Sequence, residues 1–216
     1  IEDVRSRAAA GEGTGTFDAI SSMIVLNQDM LVKGGHEGNS DTAAAARLQD
    51  IRLMLSLPVI GQALDLLQFN YEIDDPTLPA KIGEASGLTL PPAAKLVRCL
   101  ERFWRGDTEA ASYIGISLVE GLLRERLLEA GLDPYNPPTG DRVGKYKTLG
   151  VMLAIAEGVV LSASWSAFMT HTLTDPLFGL NLRNELSHGA VDGDPGDDNA
   201  ALILLACLHL AVGVSR

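Results

Sequence analysis

The stretch Asn181-Leu182-Arg183-Asn184-Glu185-Leu186-Ser187-His188-Gly189 joins a helix-forming run to an arginine, a small amide and a histidine. Asp175-Pro176 upstream supplies a helix start and Gly189 a helix stop, so the spacing predicts a helix over Pro176 to His188 with the polar residues in its last turns. On such a helix Asn184 and His188 share a face, whereas Arg183 and His188 diverge by roughly 140°. One helix does not easily aim both at one atom. A second copy related by a two-fold axis brings an arginine and a histidine to one cleft, which predicts a homodimer.

These three side-chain types suit RNA cleavage without a metal. When the 2′-hydroxyl attacks the phosphate, one group removes its proton, another protonates the departing 5′-oxygen, and a cation offsets the charge growing on phosphorus. His188 and Arg183 fit those parts, and Asn184 orients the imidazole or holds a phosphate oxygen. The ordinary alternative is a surface arginine and a histidine in a last helical turn, where cations are favoured for no catalytic reason.

Outward from this stretch the chain reads as helical. Its 216 residues are 46% hydrophobic but only 5% aromatic, the balance of Ala- and Leu-rich bundles, and no run alternates well enough for a sheet. Bundle helices are expected over Ala93 to Arg105, Thr108 to Ala130, Lys145 to His171, Pro176 to His188 and Asn199 to Val214. Helical patterns over Phe17 to Val32, Asp41 to Leu55 and Val59 to Tyr71, broken at Gly34-Gly35 and Pro58, make an N-terminal annex. The Asp-, Pro- and Gly-rich stretch Glu72 to Pro92 divides them, giving an annex over 1–75, a linker over 76–90 and a bundle over 91–216.

The string from Asn181 to Gly189 resembles the RNxxxHG signature of a domain family within the HEPN superfamily. The segment opening at Gly106-Asp107-Thr108-Glu109-Ala110 and running through Glu120-Gly121-Leu122-Leu123-Arg124 to Ala130-Gly131 is similar to that family's preceding helix. The resemblance covers residues 91–216. It implies an all-α, usually dimeric bundle whose active members are metal-independent endoribonucleases of toxin, phage-defence or RNA-processing systems, with Arg183 and His188 as the R-x-x-x-x-H pair and Asn184 as its polar companion. It also implies an RNA substrate, an antitoxin or larger parent protein as partner, and no cofactor. Some members are non-catalytic RNA- or protein-binding modules, which is the alternative expectation.

A formal charge of −11 opposes general affinity for polyanions, so any RNA site must be locally cationic. Lys95, Arg98, Arg102 and Arg105 fall within an arc of about 80° on an amphipathic helix, either a phosphate-tracking stripe or a solvated face. The loop Leu132 to Gly144, with Arg142, Lys145 and Lys147 around Tyr146, combines cations with an aromatic on which an unpaired base can stack. Glu120 and Arg124, four apart on the apolar side of their helix, are expected to bond each other or to support the His188 site.

Other patterns lack their chemistry. Gly11-Glu12-Gly13-Thr14-Gly15 has no preceding strand and no following Lys-Ser/Thr, and the Asp192 to Asp198 run has Ile203 where a calcium loop needs glutamate. His36, His171 and His209 have no second ligand at zinc spacing, and Gly115 and Ser117 lack the closing glycine of a nucleophile elbow, so no metal site is expected. Cys99 and Cys207 lie in apolar runs and read as buried thiols of a reducing cytoplasm. The apolar runs Leu149 to Met169 and Ala200 to Val214 read as core helices, no basic and apolar leader of secretory type is read at the start, and the absence of a starting Met raises the expectation of a trimmed or excised piece.

Overall fold

A computed structural model describes residues 40–70, 75–138, 144–188 and 195–212. The architecture is an all-α bundle. In chain order the described elements are α1 (Ser40–Asn70), α2 (Leu78–Ser86), α3 (Leu90–Trp104), α4 (Thr108–Glu129), the strands β1 (Tyr135–Asn136) and β2 (Lys145–Tyr146), then α5 (Leu149–Ala156), α6 (Ala163–Leu173), α7 (Leu182–Ser187) and α8 (Asp197–Val212). The expected helix over Phe17 to Val32 lies outside the described residues, as do Arg142 and Gly189.

α4 is the central element. Asp107 starts it by accepting from the Ala110 amide at 3.2 Å, and its Leu118, Val119, Leu122, Leu123 and Leu127 are buried between α3 and α8. α8 is apolar nearly all round because it is enclosed, with Ile203, Leu204, Ala206 and Cys207 fully buried. Gly115 permits the α4–α8 approach: a Cβ there would stand 2.5 Å from Ile203 Cγ2. Cys99 and Cys207 flank this contact and donate to the Ala111 and Gly115 carbonyls. Burial pushes the Cys99 thiol up to about 12 and Cys207 well above the usual thiol value, so neither is a nucleophile at neutral pH.

Arg126 closes the bundle at the other end of α4. Its Nε donates to the Leu210 carbonyl at 3.0 Å and Nη2 to Ala211 at 2.8 Å, satisfying the last carbonyls of α8. Arg126→Met keeps the stem's packing but leaves both acceptors bare. Denaturant titration should show stability lower by about 2 kcal/mol; an unchanged midpoint would rule out the capping role.

Four sequence expectations change. α1 runs through Pro58 without stopping, because Leu53 on one side and Ile60 and Leu64 on the other are buried in the same core as the bundle. α2 occupies the stretch read as a linker and packs on α3. The helix expected over Lys145 to His171 is three pieces. Lys145 and Tyr146 pair with Asn136 and Tyr135 in an antiparallel ribbon, and the chain turns between α5 and α6, where Glu157 is extended, Gly158 sits at φ 76° and Ser162 caps α6.

The fourth change concerns the segment before the motif. Asp175 Oδ1 accepts from the Leu177 and Phe178 amides at 2.9 and 3.1 Å, closing a turn instead of opening a helix. Leu180 N then donates to the His171 carbonyl at 2.9 Å, Asn181 adopts the left-handed conformation at φ 51°, and only Leu182–Ser187 is helical. His171 is itself buried, its Nε2 2.7 Å from Asp50 Oδ1, tying α6 to α1. No described helix is long and apolar enough to cross a membrane.

Candidate functional site

Steps of four, three and four residues place Tyr113, Ser117, Glu120 and Arg124 in one narrow stripe of α4. Each member holds something from another part of the chain or from its own stripe. The Tyr113 hydroxyl donates to the Leu186 carbonyl of α7 at 3.2 Å, and Ser117 Oγ accepts from Lys95 Nζ of α3 at 2.6 Å. Glu120 then bridges two guanidinium groups: Oε1 accepts from Arg183 Nε at 3.1 Å and Oε2 from Arg124 Nη2 at 3.0 Å.

The arginine of the motif is therefore aimed by a carboxylate 63 residues earlier in the chain. Its orientation is fixed at a second point, since Nη1 donates to Asn184 Oδ1 at 3.1 Å. Asn184 passes the constraint on, its amide donating to Asn181 Oδ1 at 2.8 Å, while the Asn181 amide donates to Glu185 Oε1 at 3.1 Å. Asn181 is buried and left-handed, a conformation that asparagine tolerates better than most side chains. The Arg183 side chain retains 34% exposure, so the tethered guanidinium is still reachable from solvent.

His188 is the C-cap of α7, with its amide on the Asn184 carbonyl at 3.0 Å and its side chain exposed. Arg183 turns toward α4, bonded to Glu120, whereas His188 is exposed at the end of α7.

At the far end of the stripe Arg124 lies over the Tyr146 ring, its Cζ 4.4 Å from the centroid. Tyr135 stacks on Tyr146 with centroids 4.4 Å apart and a tilt of 31°, and its hydroxyl donates to that of Tyr146 at 2.8 Å. This bond holds the proton on Tyr135 and raises its pKa above the ordinary phenol value, so Tyr135 is no base at neutral pH. Lys147 turns inward and donates to the Asp133 and Tyr135 carbonyls, pinning the ribbon, while Lys145 is exposed.

The basic stripe of α3 is divided. Lys95 joins the α4 stripe, Arg98 is exposed, and Arg102 and Arg105 pair with Asp107 and Glu101 at 3.0 and 2.9 Å, which spends part of their charge locally. Within the stripe, Arg124, Arg183 and Lys95 outnumber the one carboxylate, Glu120, a local cationic surplus in an otherwise acidic chain. Among the described residues no three His, Cys, Asp or Glu side chains gather as metal ligands.

The structure thus joins Glu120, Arg124, Arg183, Asn184 and Tyr146 in one network and sets Arg98, Arg102 and Arg105 apart from it. Sequence reasoning missed Asn181, Tyr113, Ser117 and Tyr135. The 113-117-120-124 spacing was a usable signal for two of them; the buried amide of Asn181 carried none. No family model, no curated protein and no solved structure matches the chain.

Proposed function

We propose that the chain is a metal-independent endoribonuclease of HEPN type, acting as a homodimer whose cleft takes Arg183 and His188 from neighbouring copies. The observation that carries this reading is the double tether of Arg183, held by Glu120 and Asn184 while its side chain keeps 34% exposure, which preorganises a cation for phosphate.

In the proposed step the 2′-oxygen forms a bond to phosphorus as the bond to the 5′-oxygen breaks. Each of the two equivalent clefts uses the His188 of one copy: as imidazolium it gives a proton to the leaving 5′-oxygen, the 2′-hydroxyl proton passes to solvent water, and the ring is reprotonated from solvent before the next turnover. Arg183 meets the charge that builds on the non-bridging oxygens, and Asn184 keeps the guanidinium in place. The products are a 2′,3′-cyclic phosphate and a 5′-hydroxyl.

Incubation of the protein with mixed RNA in excess EDTA, followed by analysis of fragment ends, tests the chemistry. Cyclic phosphate and 5′-hydroxyl ends are expected at an undiminished rate; no cleavage, or cleavage abolished by EDTA, would overturn it. RNA bound without being cut is instead the outcome that the non-catalytic reading expects.

A further inference from the structure

We infer that the exposed stripe of α4 is the floor of a short single-stranded RNA track, with base-stacking tyrosines at both ends: Tyr113 at one, and Tyr135 on the Tyr146–Arg124 stack at the other. The identity of the ligand as RNA rests on the reading above; the track itself rests on the arrangement of side chains.

Tyr113 and Arg124 are eleven residues apart, about 16 Å along the helix axis. Between them stand the cations, Lys95 at Ser117 and then Arg183 and Arg124 on the two oxygens of Glu120. Both ends are aromatic and open to solvent, with Tyr113 47%, Tyr135 41% and Tyr146 49% exposed. Exposed rings of this size forgo the burial that usually recruits aromatics, yet each is fixed in place: Tyr113 by the Leu186 carbonyl, Tyr135 and Tyr146 by each other.

A run of three cations between aromatic ends suits an unpaired strand, with phosphates over the guanidinium and ammonium groups and a base on each terminal ring. A duplex offers neither ring a partner, because its bases are already stacked and its phosphates turn outward. Within the stack, Arg124 and Tyr135 each lie 4.4 Å from Tyr146, so its ring faces are engaged and the platform for a base passes to Tyr135. Tyr146 instead couples that platform to Arg124, and through Glu120 to Arg183.

The test is made on the full chain carrying His188→Ala, so that RNA is held and not cut. A fluorescein-labelled single-stranded hexamer and a duplex of equal length are titrated at low salt and followed by anisotropy. Tyr113→Leu and Tyr135→Leu are each expected to weaken single-strand binding about 5- to 150-fold, whereas Tyr113→Phe and Tyr135→Phe stay within roughly twofold, since the ring and not the hydroxyl stacks. Hexamers carrying 2-aminopurine give a second readout on the parent without any tyrosine change: stacking quenches the bound base.

Leucine variants that are folded by circular dichroism and bind as tightly as the parent, an unquenched 2-aminopurine, or preference for the duplex would each overturn the track. Tyrosine-independent binding of RNA that the wild-type protein cuts sinks this inference alone. Tyrosine-dependent binding without wild-type cleavage sinks only the catalytic reading, and no binding by any form sinks both.

Discussion

His188→Ala should slow single-turnover RNA cleavage by about 10²- to 10⁴-fold while leaving thermal stability nearly unchanged. The imidazole is exposed and at a helix end, so its removal opens no cavity and strands no buried partner. What is lost is proton transfer by the imidazole. Arg183→Ala should cost about 10²- to 10³-fold through loss of the charge that faces the phosphate. Arg183→Lys should not recover it, because a single ammonium cannot occupy the Glu120 and Asn184 contacts, 3.1 Å each, and still face outward. Rates within about threefold of wild type for His188→Ala would remove that residue from the chemistry.

Gly179→Ala should be the most damaging single methyl in the described chain. A Cβ at Gly179 would stand 2.0 Å from the His171 carbonyl oxygen, 2.9 Å from its carbon and 2.8 Å from Asp175 Cβ. Those atoms are backbone or fixed by it, and the same oxygen accepts from Leu180 N at 2.9 Å. The end of α6 and the turn into α7 therefore have to separate. The expected loss is about 3 kcal/mol, read as a melting temperature lower by roughly 6–12 °C. Because Gly179 lies two residues before Asn181, the Arg183–Glu120 contact should loosen as well, and RNA cleavage should fall even at temperatures where the variant is folded. A variant melting within about a degree of wild type would mean that the close approach is not present in solution.

Where sequence and structure agree, the signal is local. α4 was expected over Thr108 to Ala130 and spans Thr108–Glu129, because Asp107 caps one end and the buried leucines repeat along it. The pairing of Glu120 with Arg124 was legible for the same reason, four residues being one helical turn. Pro91 and Pro92, read as the end of a linker, fall in the first turn of α3, where a missing amide proton costs nothing.

Where they part, the deciding contact is distant. α5 is apolar even where it is exposed, at Val151 and Ala154, so its sequence carries no periodicity to mark the turn at Glu157 to Ser162. Asp175-Pro176 has the composition of a helix start, but Gly179 seated on the His171 carbonyl and left-handed Asn181 delay the helix to Leu182. Glu120 was expected to bond Arg124 or to support the motif, but which motif side chain it holds, Arg183, depends on how two separate helices dock.

Mixing two inactive proteins gives the most direct test of whether Arg183 and His188 act on one linkage from two copies. Arg183→Ala and His188→Ala are each purified, shown to be inactive, combined under conditions of subunit exchange and assayed in EDTA. Half of the dimers then hold one intact arginine and one intact histidine on different chains, and cleavage should return to about a quarter of the wild-type rate. A mixture no more active than its components would contradict the shared cleft.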